Sequence, residues 1–242
     1  MISALSLHAV TKRFGGLVAV NRLEFDVVEN QVMGLIGPNG SGKSTVLNLI
    51  SGAFPLSAGT IRMHGNIISN LQSQDVARRG VGRTFQLVRL LSSMTVLENV
   101  KAGTVFGYKR RWGAEADTYA EAMLERVGLG GRGDMSVGQL TYIDTKRLEL
   151  ARVLAGDPKI ILLDEWLAGL NPTELGQGIN LIRSLRDDGK TIILVEHVMD
   201  AIRSLCDECV VMAAGMKIAQ GKPEQVLSDS EVIRAYLGDD DA

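Results

Sequence analysis

Residues 32–50 read Val-Met-Gly-Leu-Ile-Gly-Pro-Asn-Gly-Ser-Gly-Lys-Ser-Thr-Val-Leu-Asn-Leu-Ile. The stretch opens with a short apolar run, passes through a glycine-rich turn and continues with apolar residues at helical spacing. A buried strand followed by such a turn and a helix is the context in which the pattern G-x-x-x-x-G-K-[ST] binds phosphate. Residues 37–44 fit that pattern, so the sequence predicts a phosphate-binding loop between a strand and a helix.

The chemistry of this loop predicts that it binds a nucleotide with Mg²⁺. Glycines allow successive backbone N–H groups to turn towards a phosphate, and the helix that follows adds the positive end of its dipole. Lys43 is expected to reach the outer phosphates, and the Ser44 hydroxyl to contact Mg²⁺. The nucleotide-binding residues predicted here are Gly37, Pro38, Asn39, Gly40, Ser41, Gly42, Lys43, Ser44 and Thr45.

Two further strands are expected to deliver polar side chains to the same edge of a parallel sheet. The apolar run Ile160–Leu163 leads into Asp164 and Glu165, and the run that ends at Val195 is followed two residues later by His197. Open α/β sheets bind ligands at the carboxyl ends of their strands. Asp164 is therefore a candidate Mg²⁺ ligand through water, Glu165 a candidate to polarise an attacking water, and His197 a candidate contact of the terminal phosphate.

Composition limits the class of protein. The chain has 242 residues, of which 45% are apolar and 22% charged, and its formal net charge is -2. That is enough chain for a full core, and the charge gives no sign of a broad basic face for nucleic acid. The apolar runs are too short to cross a bilayer, and the first residues do not resemble an export signal. These features predict a protein on the cytoplasmic side.

The order of predicted elements indicates a helical insertion within an α/β core. Short strands are expected in the first 85 residues, interrupted by one helix, and a helical pattern covers residues 95–156. A strand-helix-strand alternation and a hairpin follow, and the acidic residues Asp239–Asp241 are expected to form a solvated tail. The predicted division is one domain over residues 1–242, with a core of residues 1–86 and 157–242 and a helical subdomain of residues 87–156.

Several longer strings resemble one family. Arg83–Gln86, Met94–Val100, Ala168–Pro172 and Ala235–Gly238 are similar to segments of the ATP-binding subunits of ABC transporters, in particular those of branched-chain amino acid importers. The resemblance covers essentially the whole chain. It implies an ABC-type P-loop ATPase of the α/β class, with a RecA-like core, an antiparallel β subdomain and an inserted helical subdomain.

The resemblance also assigns roles to individual residues. Gln86 would be the Q-loop glutamine, which contacts Mg²⁺ and links the site to a permease, and His197 would be the switch histidine. Leu167–Asn171 would form the D-loop. Phe14 resembles the aromatic residue that stacks on adenine, although packing of Phe14 against a sheet is the alternative.

The family's signature motif, which binds the nucleotide of the opposite subunit, is degenerate here. Counting back from the helix that follows places it at Leu140–Asp144, where Thr141 keeps a hydroxyl but Ile143 replaces glycine and Asp144 brings a negative charge towards a phosphate. The signature residues predicted in this register are Thr141, Tyr142, Ile143 and Asp144. A string closer to the family pattern, Met135–Gln139, lies five residues upstream and is the alternative.

A second departure is Trp166, which stands where the family usually has proline. Packing of this side chain within the subunit is expected, and contact with a partner is the alternative.

The resemblance implies a transport ATPase that couples ATP-driven dimer closure to a separate transmembrane permease at the cytoplasmic face of the membrane. The expected partners are permease subunits, a second ABC ATPase in a heterodimer or a second copy in a homodimer, and indirectly an extracytoplasmic solute-binding protein. The degenerate signature predicts a heterodimer in which the site that uses Thr141–Asp144 hydrolyses ATP slowly. The alternative is a regulatory ATP-gated module with slow turnover. Branched-chain amino acids are the default solute, and other small polar solutes remain open.

Overall fold

The computed structural model describes residues 3–237, and its centre is a six-stranded sheet. In spatial order the strands are β10 (Met216–Gly221), β9 (Glu208–Ala213), β3 (Val32–Ile36), β8 (Thr191–Val195), β7 (Ile160–Asp164) and β6 (Val81–Arg83). All neighbours pair in parallel except β10, which runs antiparallel to β9. Every residue of β3, β7 and β8 is buried, as expected for parallel strands covered on both faces.

A second, antiparallel sheet packs beside the first. Its order is β2 (Leu17–Val28), β1 (Ser3–Phe14), β4 (Ala58–Met63) and β5 (Asn66–Ile67). The two long strands β1 and β2 pair along nearly their whole length, with several register shifts.

Helices cover the central sheet and fill the stretch between β6 and β7. The helices are α1 (Lys43–Ile50), α2 (Ser73–Arg78), α3 (Val96–Phe106), α4 (Gly113–Arg126), α5 (Tyr142–Ala155), α6 (Pro172–Asp187), α7 (Met199–Leu205), α8 (Pro223–Leu227) and α9 (Ser230–Leu237). Thr95 and Asn171 begin α3 and α6 with capping boxes, in which the side chain and backbone of the first residue pair with a glutamate. Within residues 3–237 no helix combines the length and apolarity that a membrane span requires.

The central sheet separates two hydrophobic cores. Along β7, Ile161 and Leu163 face one core and Ile160 and Leu162 face the other, because successive side chains of a strand point to opposite faces. One core is shared with helices α3 to α5, and the other with the antiparallel sheet and α1. The strand that carries the candidate catalytic carboxylates is therefore held from both sides.

The two sheets meet at Gly215, in the turn between β9 and β10. The amide of Asn21 in β2 donates to the Gly215 carbonyl oxygen at 2.8 Å, and the Gly215 amide donates to the carbonyl oxygen of Ser41 at 3.0 Å. Ser41 belongs to the predicted phosphate loop, so a single residue joins the antiparallel sheet to that loop.

The α/β fold class predicted from the sequence is confirmed. The short apolar run that opens residues 32–50 forms β3, and the predicted hairpin is present as β9 and β10. The prediction of a single helix in the first 85 residues is wrong, because α2 lies at Ser73–Arg78. That helix buries only Val76 and so has no apolar stripe to detect. The predicted acidic tail, Asp239–Asp241, lies outside the described residues.

Candidate active site

The predicted phosphate loop connects β3 to α1 and has the required backbone conformation. Gly42 precedes the helix with a φ of +105°, and a Cβ on this residue would lie 2.6 Å from the carbonyl oxygen of Ala19. No other residue type fits there without strain. The Lys43 ammonium donates to the carbonyl oxygens of Gly37 at 2.7 Å and Pro38 at 2.9 Å. Burial lowers the pKa of Lys43, and the negative charges of Glu165 and Asp164 oppose that shift.

The loop borders an open cleft of about 580 Å³. It is lined by Phe14, Leu17, Val18, Ala19, Asn39, Gly40, Gly42, Lys43, Ser44, Thr45, Gln86, Glu165, Ala214 and Gly215. Phe14 is 42% exposed and stands edge-on to Phe54, with ring centroids 5.4 Å apart. Phe14 therefore presents an aromatic surface at the cleft instead of packing under a sheet. Gly37, Pro38 and Ser41 belong to the loop but not to this lining.

Glu165 lies at the centre of the three predicted catalytic residues. Gln86 Nε2 donates to Glu165 Oε2 at 2.6 Å, and His197 Nε2 lies 2.6 Å from Glu165 Oε1. Glu165 has a φ of +50°, which is uncommon for a residue other than glycine and turns its chain out of β7. The structure thus brings together three side chains from three separate segments. Gln86 and Glu165 line the cleft beside the phosphate loop, whereas His197 contacts Glu165 without being among the described lining residues.

Asp164 is the last residue of β7, and its two carboxylate oxygens have different surroundings. Its Oδ2 accepts a hydrogen bond from Arg83 at 3.0 Å, while Oδ1 is buried and has no partner among residues 3–237. Burial raises the pKa of Asp164, and the hydrogen bond and charge of Arg83 oppose that rise. Ser44, Gln86 and Asp164, the three predicted Mg²⁺ ligands, line one cavity of about 440 Å³. A hydroxyl, an amide oxygen and a carboxylate are hard donors, so this set fits Mg²⁺.

Sequence reasoning missed Arg83 as part of the site. Its side chain is 8% exposed, and besides Asp164 it donates to Asn48 Oδ1 at 2.7 Å and Ser51 Oγ at 3.1 Å. Arg83 therefore ties the Mg²⁺ candidate on β7 to the helix that follows the phosphate loop. Its position three residues before Gln86 was the only signal in the sequence.

The predicted signature residues lie at the start of α5 and not in the cleft. Thr141 is the N-cap of α5, and its hydroxyl accepts a hydrogen bond from the Asp144 amide at 3.3 Å. None of Thr141, Tyr142, Ile143 and Asp144 is among the described residues that line the cleft. Tyr142 is 56% exposed and approaches Gly169, whereas Ile143 is buried. The helix start at Thr141 favours this register on geometric grounds.

The expectation that Asp144 turns a negative charge towards a phosphate is wrong. The Asp144 side chain is 8% exposed and pairs with Arg132 at 2.7 Å and with Arg147 at 3.5 Å. Its charge is compensated within the subunit, and Thr141 and Tyr142 are the exposed residues at this end of the helix. The upstream string Met135–Gln139 forms a separate single turn of 3₁₀ helix, Val137–Gln139, capped by Ser136.

Trp166 packs within the subunit, as predicted. The residue is 2% exposed and its Nε1 donates to the carbonyl oxygen of Lys146 at 3.1 Å. A Cβ on Gly178 of α6 would lie 3.1 Å from the indole ring. The side chain thus fills the space between α5 and α6 and satisfies its one polar group.

Glu196, which directly precedes His197 in the chain, is a second residue to which the sequence analysis assigned no role. It is 1% exposed, and its Oε1 accepts a hydrogen bond from the Leu167 amide at 2.6 Å. Burial raises the pKa of Glu196 to about 7. The backbone N–H groups of Leu167 and His197 and the charge of Lys146 act in the opposite direction and lower this pKa. Glu196 therefore links the segment before His197 to the loop after Glu165.

Comparisons with known proteins agree with this geometry. A family model described as ABC transporter matches residues 20–168, and one described as branched-chain amino acid ATP-binding cassette transporter matches residues 216–242. The chain is 40% identical to the high-affinity branched-chain amino acid transport ATP-binding protein LivG of Escherichia coli K12, covering 97% of this chain and 98% of that protein. It is 41% identical to BraF of Pseudomonas aeruginosa, which carries the same description, with the same coverage.

Two solved structures share the fold. The ADP conformation of MJ1267, an ATP-binding cassette of an ABC transporter, superposes with a TM-score of 0.91 at 31% identity, covering 99% of this chain and 100% of that chain. The dimeric structure of MJ0796, a bacterial ABC transporter cassette, superposes with a TM-score of 0.82 at 26% identity, covering 90% and 98%. The phosphate loop and the clustered polar residues agree with these relatives, which match nearly the full length of the chain. The chain therefore belongs to the ABC transporter family as an ATP-binding subunit and is an ATPase.

Proposed function

We propose that this subunit hydrolyses ATP to drive an importer of branched-chain or related amino acids from the cytoplasmic face of the membrane. The observation that carries the proposal is the cluster of Gln86, Glu165 and His197 beside the phosphate loop, with both Glu165 oxygens in 2.6 Å contacts. The solute follows from the names of the relatives, which are branched-chain amino acid transport proteins.

The hydrolysis uses Glu165 to orient a water molecule and accept its proton as the water oxygen attacks the γ-phosphorus of ATP. The bond from the γ-phosphorus to the bridging oxygen breaks, and ADP and phosphate leave. Lys43 and His197 compensate the charge on the phosphate oxygens, and Phe14 offers a ring for adenine to stack on. Mg²⁺, held by Ser44, Gln86 and Asp164, would neutralise further phosphate charge.

A second ABC subunit completes each nucleotide site. Thr141 and the start of α5 lie outside the lining of this subunit's own cleft, and Thr141 is exposed, so they are available to contact ATP bound by a partner. Ile143 occupies the glycine position; its side chain is buried within this subunit, and its backbone lacks the conformational freedom of glycine. We therefore favour a heterodimer in which this subunit's Lys43 and Glu165 work with an intact partner signature, while the reciprocal site turns over slowly. A homodimer would have two slow sites.

A permease contact is supported by an apolar groove of about 350 Å³ between the core and the helical stretch. The groove is bordered by Leu91 and Phe106, which are 40% and 69% exposed, and by Arg83. Arg83 lies three residues from Gln86, so a permease segment in this groove would sit close to the residue that contacts Glu165. The relatives' names as transport proteins support a permease as the partner that occupies this groove.

The decisive experiment replaces Glu165 by Gln in the complete complex with its permease and partner ATPase. Phosphate release should fall by at least about 100-fold, while ATP binding persists, because the amide cannot accept the proton. Glu121→Gln, at an exposed position on α4, is the matched control and should leave turnover unchanged. Unchanged turnover in Glu165→Gln would refute the proposed role. Screening the binding protein of the same complex against amino acids, amides and urea would identify the solute.

A further inference from the structure

Helix α5 carries two buried ionic side chains that the proposed chemistry does not use. Lys146 and Glu149 are 2% and 0% exposed, and they lie one turn apart on the helix that begins after Thr141. Burying a charge is costly unless each of its polar atoms finds a partner, and an apolar side chain would fill the same space at lower cost. Their hydrogen bonds therefore indicate what these residues are for.

Lys146 holds the backbone that follows the catalytic strand. Its ammonium donates to the carbonyl oxygens of Glu165 at 3.2 Å, Trp166 at 3.0 Å and Ala168 at 2.8 Å. An ammonium has three N–H donors, and here each has an acceptor. Glu165 itself adopts a φ of +50°, a conformation that its surroundings must stabilise. Lys146 thus fixes the main chain on which the Glu165 carboxylate is mounted.

Glu149 holds the segment that carries Gln86. One carboxylate oxygen accepts from the Phe85 amide at 3.2 Å, and the other accepts from the Arg89 amide at 3.0 Å. These two amides flank Gln86 in the chain. Glu149 thus fixes the main chain on which the Gln86 side chain is mounted.

We propose that Lys146 and Glu149 are positioning residues for ATP hydrolysis, which set the 2.6 Å contact between Gln86 and Glu165 from one turn of α5. The inference rests on the proposed roles of Gln86 and Glu165. It adds that the spacing of these two groups is determined by a third element. Because α5 begins next to Thr141, a displacement of this helix by the partner's nucleotide would move Gln86 and Glu165 together.

The test uses Lys146→Met, Lys146→Arg and Glu149→Gln in the complete transporter complex. Lys146→Met and Glu149→Gln should each lower kcat about 10-fold or more while KM for ATP stays within about threefold, because the phosphate loop is untouched. Lys146→Arg, which keeps a charged donor, should recover most of kcat. Leu148→Ala is the matched control, since it removes buried volume from the same helix without touching either loop.

Two further measurements separate positioning from general destabilisation. Amide exchange at Phe85 and Arg89, measured in the nucleotide-free protein, should accelerate in Glu149→Gln and not in Leu148→Ala. Combining Glu149→Gln with Gln86→Ala should cost no more kcat than Gln86→Ala alone, because Glu149 acts through Gln86.

The outcomes distinguish this inference from the proposed function. If Glu165→Gln abolishes turnover but Lys146→Met and Glu149→Gln retain kcat, the inference is overturned and the proposed function stands. If Leu148→Ala lowers kcat as much as Lys146→Met does, the effect is one of stability, and the inference is again overturned. If Glu165→Gln keeps full turnover, the proposed function itself fails.

Discussion

His197 Nε2 lies 2.6 Å from Oε1 of Glu165, although 32 residues separate them in the chain. The contact follows from the pairing of two parallel strands, in which Asp164 at the end of β7 lies opposite Val195 at the end of β8. The segments that follow β7 and β8 leave the sheet at the same edge, and the Glu165 amide donates to the Val195 carbonyl oxygen at 2.9 Å. The imidazole is therefore placed to orient the carboxylate.

Replacement of His197 by Ala should lower kcat by about 100-fold, because one side of the Glu165 carboxylate and one contact to the terminal phosphate are lost together. ATP affinity should change little, since Lys43 and the loop amides remain. Phosphate release and nucleotide binding by the assembled transporter would measure the two effects separately. A variant with normal kcat would contradict the proposed role of His197 at the reacting phosphate.

Thr141 and Ser136 distinguish the two possible signature registers. Thr141→Ala should reduce hydrolysis at the site where the partner binds ATP, and it should also destabilise α5 by about 1 kcal/mol through loss of the N-cap. Ser136→Ala removes a comparable cap from the 3₁₀ turn and should leave turnover unchanged. Turnover measured in complexes whose other site is inactivated would show the difference. The reverse pattern would assign the signature to Met135–Gln139.

Trp166 should be a major contributor to stability. Trp166→Ala removes a side chain that is 2% exposed and should lower the free energy of unfolding by roughly 3–5 kcal/mol. Trp166→Phe keeps most of the ring but loses the hydrogen bond to Lys146, and should cost about 1 kcal/mol more than the change in volume alone. Urea unfolding followed by circular dichroism would measure both. A loss below about 1 kcal/mol for Trp166→Ala would contradict the packing described.

Glu196 should make stability depend on pH. Its pKa is raised from 4.5 to about 7 in the folded protein, chiefly by burial, so the folded state holds this proton more tightly than the unfolded state does. Its contribution to stability is complete below pH 4.5 and is lost as the pH rises through about 7. Lys146 opposes the shift and Glu165 adds to it.

Glu196→Gln removes this titration and keeps an oxygen that accepts from the Leu167 amide. Relative to the parent protein, the variant should gain stability between pH 4.5 and about 7, on the order of 3 kcal/mol in total, and no more above that range. Urea midpoints recorded across this range would test the prediction, with exposed Glu121→Gln as a flat reference. A constant difference between variant and parent would contradict it.

Much of the site could be predicted because its signals are local. The glycine-rich loop before Lys43 and the carboxylates after the apolar run of β7 each follow from a short string whose spacing has a physical reason. Their meeting at one sheet edge follows from parallel strand order. The strands β3 (Val32–Ile36) and β8 (Thr191–Val195) can be recognised in the sequence for a similar reason, because buried parallel strands are continuous apolar runs.

The residues that support the site could not be predicted from the sequence in the same way. Arg83, Lys146, Glu149 and Glu196 are ionic residues whose partners are backbone groups or side chains far away in sequence. In a single sequence such residues look like members of a solvated face. The prediction for the orientation of Asp144 was wrong for the same reason, since the nearer of its two partners, Arg132, lies outside the helix that carries Asp144.

The hydrogen bonds of Gly215 connect the phosphate loop to the antiparallel sheet. Its amide and its carbonyl oxygen join Ser41 of the phosphate loop to Asn21 of the antiparallel sheet, so a change in the relative orientation of the two sheets would strain these two hydrogen bonds. A ligand seated in the loop therefore restrains both sheets at once. The antiparallel sheet, which also contributes Phe14 and Val18 to the cleft, is thereby connected to the nucleotide site both directly and through this turn.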